Sequence, residues 1–202
     1  GAKADYVSLD GTTPLTGSVP NFELTDQLLG KGATLNTTYN TSIDPLHLAL
    51  KAKIEKRDIR TIKLLLKHGA RLDGDEFFDT PLATALKNDY LEAAKLLIDH
   101  DAYLDLSLRQ KCMDFGHAID HSARHDWDLT LIKLLLTKGI NINDIIPLLR
   151  NTPLHHLLTF ANYSQEAAKL FIEKGADANN SDRTGTVPLI RAIRANDIDS
   201  AT

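Results

Sequence analysis

A leucine-rich segment closed by glycine, or once by aspartate, recurs five times along this chain of 202 residues, and it limits the possible folds more than any other feature. The segments read Gln-Leu-Leu-Gly-Lys-Gly-Ala at 27–33, Lys-Leu-Leu-Leu-Lys-His-Gly-Ala at 63–70 and Lys-Leu-Leu-Ile-Asp-His-Asp-Ala at 95–102. Lys-Leu-Leu-Leu-Thr-Lys-Gly-Ile at 133–140 and Lys-Leu-Phe-Ile-Glu-Lys-Gly-Ala at 169–176 continue the series. The closing positions Gly32, Gly69, Asp101, Gly139 and Gly175 are separated by 37, 32, 38 and 36 residues. A period of that size marks stacked supersecondary units.

Upstream of most segments stands a second mark: Asp-Pro-Leu-His from Asp44, Thr-Pro-Leu-Ala from Thr80, Thr-Pro-Leu-His from Thr152 and Val-Pro-Leu-Ile from Val187. Asp or Thr accepts a hydrogen bond from a free amide of the first helical turn. Proline at the next position has no amide to satisfy and a φ already set for helix. Each mark therefore opens a helix, and the leucine-rich segment forms a second one, ended by a residue in the left-handed conformation. One such pair cannot bury its apolar face alone, so neighbours must stack into one quasi-linear domain.

These marks resemble the ankyrin repeat family, whose unit of roughly 33 residues is a turn and two antiparallel helices. Asp-Arg-Thr-Gly-Thr-Val-Pro-Leu at 182–189 resembles the family's turn into its first helix, and Gly-Ala-Asp-Ala-Asn at 175–179 its hairpin ending. The resemblance implies an all-α ankyrin-repeat solenoid of five to six helix–turn–helix units with short β-hairpin or turn fingers. The units span 10–36, 40–73, 75–105, 108–143, 147–180 and a truncated 182–202, which points to a fragment of a longer protein. It also implies that His47 and His155 make structural hydrogen bonds between units. Asn36, Asn143 and Asn179 occupy positions similar to the family's hairpin asparagines, which eukaryotic cells can hydroxylate.

Several features depart from the family. Met-Asp-Phe-Gly-His-Ala-Ile from Met113 stands where a helix-opening mark is due, so Met113 aligns with the Thr and Phe115 with the Leu. Gly17 and Pro20 weaken the first helix of the first unit. The connections between helices are lengthened by 53–57, 123–128 and 162–164.

No nucleophile elbow, phosphate loop, dinucleotide glycine pattern or HExxH zinc helix occurs, so the expectation is a protein that is not an enzyme and takes no cofactor. His117, His121 and His125 follow at steps of four beside Asp120. On one helix the outer pair lies about 12 Å apart, too far for one ion, so no metal site is assigned. Cys112 near His117 invites a nucleophile reading, but its turn position gives no sign of an activated thiol. Trp127 either anchors a partner or folds back over the core.

The resemblance implies a binding face on the hairpin tips and the exposed side of the first helices, a concave surface. Counting back from the helix openings puts Glu76, Phe77, Asp79, Arg109, Gln110, Leu148, Leu149, Asn151, Arg183 and Thr184 on the tips. Asp120, His121, Phe160 and Arg194 face the same way from the helices. Apolar Phe77, Leu148, Leu149 and Phe160 at positions that are ordinarily polar point to a protein partner. Arg109, Arg183 and Arg194 favour an acidic and hydrophobic segment.

The function expected is a protein–protein interaction module, acting as a monomer. Its rival is the substrate-recognition region of a larger enzyme. A net charge of −4 with no basic stripe argues against nucleic acid, and no apolar run is long enough to enter a membrane. A single cysteine points to a reducing cytoplasm. The uneven units resemble ankyrin effectors that intracellular bacteria deliver into the host cytosol.

Overall fold

The computed structural model describes residues 6–9, 11–36, 44–73, 79–101, 106–182 and 184–194; for Ile54 and Arg194 it describes the backbone alone. The chain divides into two compact units, Gly1–Ala102 and Tyr103–Thr202. The first holds α1 (Pro14–Ser18), α2 (Phe22–Gly30), α3 (Pro45–Leu50), α4 (Ile59–Lys67), α5 (Pro81–Lys87) and α6 (Leu91–Asp99). The second holds α7 (Leu108–Arg124), α8 (Thr130–Thr137), α9 (Pro153–Leu157), α10 (Gln165–Glu173) and α11 (Pro188–Arg194). Among the described residues there is no strand, only one antiparallel bridge between Ile146 and Asn151, so the all-α expectation holds.

Helix starts follow the capping rule. Asp44 Oδ1 accepts from the amide of His47 at 2.8 Å and Thr80 Oγ1 from that of Ala83 at 2.9 Å, each followed by proline at the first helical position. Helix ends follow the glycine rule: Gly32, Gly69, Gly139 and Gly175 have φ of 81°, 82°, 87° and 87°. Asp101, in the place of the missing glycine, adopts the same left-handed region with φ 57°.

Stacking then buries the apolar stripes. In the first unit α1 packs on α3 and α3 on α5, while α2 packs on α4 and α4 on α6. In the second, α9 takes α7, α10 and α11 against it. The leucine after the first-helix proline is core in four repeats: Leu15, Leu46, Leu82 and Leu154 are at most 3% exposed, whereas Leu189 of the Val187 mark is 39% exposed. Each of the four contributes about 2 kcal/mol of burial free energy. Phe115 stacks on Phe171 with centroids 6.0 Å apart.

Polar bonds tie successive repeats. The Asn36 side chain donates to the Gly69 carbonyl at 2.8 Å and accepts from the Arg71 amide at 3.2 Å. Asn143 repeats this with Gly175 and Asp177, both at 2.8 Å. His47 Nε2 reaches the Asp79 carbonyl at 2.9 Å and His155 Nε2 the Thr186 carbonyl at 3.0 Å, as the resemblance implied. Burial alone lowers the His47 pKa, but the hydrogen bond and charge of Asp44 outweigh it and leave it raised.

Two sequence expectations change. The helix at 14–18 forms despite Gly17 and Pro20, because Thr13 and Thr16 cap it reciprocally and Pro20 falls beyond its end. Helix α7 does not begin at Met113: it starts at Leu108 behind a Ser107–Gln110 capping box, since residues 107–113 contain no glycine or proline to stop it. Gly116 then occupies the place of His47 and His155, and Ile146 of the following hairpin packs onto it, 3.4 Å from where a Cβ would sit. The lengthened connections also have a structure. Arg57, after the 3-10 turn Ile54–Lys56, donates to the carbonyls of Asn88 and Asp89 and lies 4.7 Å over the Tyr90 ring.

Alanine scanning of glycines is expected to give opposite signs at two open positions. A Cβ meets nothing within 4 Å at either Gly17 or Gly139, so backbone conformation alone decides. Gly139→Ala should cost about 1–2 kcal/mol, whereas Gly17→Ala, inside α1, should add about 0.5–1 kcal/mol, both read from urea denaturation midpoints.

Candidate functional site

The second unit brings together the chemistry most suited to recognition. Asp120, on α7, lies between two histidines: its Oδ1 is 2.7 Å from His156 Nε2 on α9, and its Oδ2 is 3.7 Å from His117 Nδ1. Burial works against the Asp120 charge. The hydrogen bonds from His117 and His156 outweigh it and hold the carboxyl far below its usual 3.8. The cluster continues through aromatic rings, with His156 edge-on to Phe160 at 5.3 Å and Phe160 edge-on to Trp127 at 5.5 Å. Trp127 folds back: its indole N–H donates to the Asn162 carbonyl at 2.6 Å.

Beside this cluster in the chain lies an apolar turn. The Ile146 amide donates to the Asn151 carbonyl at 2.8 Å and the Arg150 amide to the Ile146 carbonyl at 2.7 Å, closing residues 146–151 into a tight loop. Ile146 points into the core at 2% exposure, but Ile145, Leu148 and Leu149 are 56%, 67% and 42% exposed. Arg150 at its end is exposed, with φ 51°.

The sequence-predicted residues are distributed unevenly. Leu148, Leu149 and Thr184 stand in exposed turns, while Arg109 is exposed in the first turn of α7. Asp120 and Phe160 are half-buried in the cluster just described. Asp79 is exposed and accepts from Lys87 Nζ at 2.6 Å. Three others are not surface groups of a tip. Gln110 is the third residue of α7, and its side-chain oxygen accepts from the Ser107 amide at 3.1 Å. Asn151 is 8% exposed, because the bridge to Ile146 draws it inward. His121 is 3% exposed and stacks on His125 at 4.4 Å, while His117 turns to Asp120, so the three histidines divide rather than converge. Glu76, Phe77 and Arg183 lie outside the described residues, as does the side chain of Arg194.

Cys112 sits within α7 and is 7% exposed. Burial, helped by the charge of Asp144, pushes its thiol up to about 11, so it stays protonated and unreactive at neutral pH.

Sequence reasoning overlooked His156, Asp182 and Arg191. Asp182 Oδ1 accepts from the Thr184 hydroxyl at 2.6 Å and the Thr184 amide at 2.8 Å, while its Oδ2 takes Arg191 at 2.6 Å. Those bonds hold the Asp182 carboxyl well below its ordinary range. The signal for it was present in the Asp-Arg-Thr-Gly turn; the pairing of His156 with a carboxylate 36 residues earlier had none.

The depressed Asp120 pKa sets the sign of a pH effect. Its stabilising contribution is present above 3.8 and is lost as the pH falls below that value toward the folded-state pKa. Asp120→Asn is expected to lower stability by about 1 kcal/mol near neutral pH, a discounted value because the carboxylate is half-exposed. The deficit should shrink below 3.8, as denaturant midpoints across a pH series would show.

Among the described residues no helix is long and apolar enough to cross a membrane. Ankyrin repeats, in three copies, match residues 5–108 and 119–202. The chain is 31% identical over 146 residues to a putative ankyrin repeat protein of Acanthamoeba polyphaga mimivirus, covering 68% of this chain and 18% of that protein. It is 29% identical over 171 residues to a probable serine/threonine-protein kinase of Dictyostelium discoideum, covering 80% of this chain and 19% of that protein. The chain thus spans about a fifth of the length of these curated relatives. Among solved structures it is similar to the human ASB11 ankyrin repeat domain, with TM-score 0.69 and 18% identity over 100% of this chain and 86% of that one. It is also similar to an ankyrin repeat domain from Acinetobacter baumannii, with TM-score 0.71 and 21% identity over 93% and 94% of the two chains. A third similar chain comes from the complex of a predatory endopeptidase of Bdellovibrio bacteriovorus with an immunity protein, with TM-score 0.63 and 21% identity over 97% and 96%. With repeated helix pairs capped, closed and cross-bonded in one pattern, and that pattern matched along nearly its whole length, the chain belongs to the ankyrin repeat family.

Proposed function

We propose that the chain is a protein-interaction module whose partner docks on the tip at 145–149 and on the neighbouring surface carrying Asp120 of α7 and Phe160 of the turn after α9. The observation that carries this reading is the tip itself: Ile145, Leu148 and Leu149 are held outward on a hydrogen-bonded turn, where ordinary turns are polar. Exposed Arg109 and Arg150 lie on the same unit, and arginine forms forked bonds to carboxylates. A partner segment that is both acidic and hydrophobic fits this composition. In this reading Arg183, Thr184 and Arg194 are further contact residues of the second unit, and Glu76, Phe77 and Asp79 are contact residues of the first.

The module acts as a monomer without catalysis of its own, in a reducing cytoplasm that suits the lone buried Cys112. Relatives from an amoeba and from a virus of amoebae fit a setting inside a eukaryotic cell, the host cytosol if the chain is a delivered effector. A second reading is that the repeats select substrates for a larger enzyme, and the kinase relative, of which this chain spans 19%, favours it.

The test uses the 202-residue protein as bait beside a variant with Leu148→Ser and Leu149→Ser. A specific partner should be captured by the first and lost about tenfold or more by the second, with its circular dichroism unchanged. Retention of that partner by the folded variant would remove the tip from the interface. Arg109→Glu with Arg150→Glu should slow association and flatten its salt dependence.

A further inference from the structure

Two repeats reach the next hairpin through a histidine at the same place in the helix-opening mark, but the two rings face different partners. His155 Nδ1 lies 2.8 Å from the Thr152 hydroxyl, and its Nε2 lies 3.0 Å from the Thr186 carbonyl. A carbonyl only accepts, so Nε2 carries a proton. The hydroxyl can donate, so Nδ1 needs none, and a neutral ring satisfies both ends. In the repeat that opens at Asp44, that aspartate stands in the place of Thr152. His47 Nε2 again faces a carbonyl, that of Asp79 at 2.9 Å, while its Nδ1 faces the Asp44 carboxylate at 2.5 Å. Both partners are acceptors, so both nitrogens carry protons and the ring is an imidazolium.

Asp44 is not free to turn away when that charge is lost. Its other oxygen, Oδ1, accepts from the His47 amide at 2.8 Å and caps α3. Loss of the proton from Nδ1 sets a lone pair against the capping carboxylate, and loss from Nε2 leaves the Asp79 carbonyl without its donor. Lys51, at the end of α3, is the charge that opposes protonation. Of the helices packed on α3, α1 has no ionisable side chain, and α5 brings Lys87, which is paired with Asp79 at 2.6 Å. Helix α4 brings Arg60, paired with Asp58 at 2.7 Å, and exposed Lys63 and Lys67. Burial favours a neutral His47, but the hydrogen bond and charge of Asp44 outweigh it and raise the pKa; at His155 burial prevails and lowers it.

We infer that the joint between α3 and the hairpin at Asp79 is a proton-dependent clasp, closed while His47 is an imidazolium and loosened when its ring becomes neutral. The corresponding joint at His155 works with a neutral ring and keeps its bonds as the pH rises. By linkage, a group whose pKa is raised by folding contributes stability that is complete below its unfolded value of 6.5 and is lost as the pH rises through the folded value. A rise in pH therefore loosens one joint of the first unit and spares its counterpart in the second. The clasp does not depend on the partner face proposed for the second unit.

NMR titration of the imidazole rings in the 202-residue protein tests it. His47 should titrate above 6.5, with both ring nitrogens protonated at that pH, and His155 below it. Asp44→Thr, which copies the His155 arrangement, should bring the His47 midpoint below 6.5. Hydrogen exchange supplies a second readout. Protection of the His47 amide should fall about threefold to tenfold as the pH rises through the ring's midpoint, and should stay constant over that interval in Asp44→Thr. If Asp44→Thr does not fold, Asp44→Asn, which keeps a capping oxygen, gives the same comparison. A His47 midpoint at or below 6.5, or an unchanged midpoint in a folded variant, would overturn the clasp. So would constant amide protection across the titration of the unsubstituted protein.

Discussion

Each helix pair carries more apolar surface than it can cover, and each hairpin carries carbonyl groups that its own residues do not satisfy. Stacking answers both demands at once. The leucines at positions 15, 46 and 82 are buried against neighbouring repeats, while Asn36 and His47 reach forward to bond the next hairpin at Gly69 and Asp79. Asn143 and His155 do the same in the second unit. Because the hydrophobic contact and the hydrogen bonds fix the same spacing, neither can slip without breaking the other.

The irregular repeats keep this coupling by substitution. Where Gly116 removes the bonding histidine, Ile146 fills the space and holds the hairpin by apolar contact. Where a connection is lengthened, the extra residues clasp the next repeat: Arg57 bonds the carbonyls after α5, and Trp127 bonds the one at Asn162. The exposed turn at 145–149 follows from the first of these changes. Ile146 turns inward to cover Gly116, and the tight loop that it closes leaves Ile145, Leu148 and Leu149 outside. The feature proposed for recognition is thus a by-product of how an atypical repeat is kept in register.

Much of the site was legible in the sequence, and what was not has a common cause. Leu148 and Leu149 read as exposed because they stand at counted offsets from a helix opening, and they are exposed. Gln110 and Asn151, placed by the same counting, are not tip groups, because the helix of that repeat starts at Leu108 and the hairpin bridge pulls Asn151 inward. Counting assumes that every repeat keeps its register, and a run of helix-forming residues without glycine or proline lets the helix extend upstream. The role of Trp127 depends on a partner 35 residues away, the Asn162 carbonyl that accepts from its indole N–H, and no local pattern encodes that pairing.

The sequence by itself determined the architecture, since capping residues, helix-closing glycines and apolar spacing are local and act within a few residues. The family resemblance also implied that His47 and His155 bond the next hairpin, whereas the matching bonds of Asn36 and Asn143 emerged only in the structure. Only the tertiary structure decided the pairing of Asp120 with His156 and the Arg57 clasp. Each joins residues more than 30 positions apart. Such distances are set by how neighbouring repeats pack, and no periodicity in the chain encodes them.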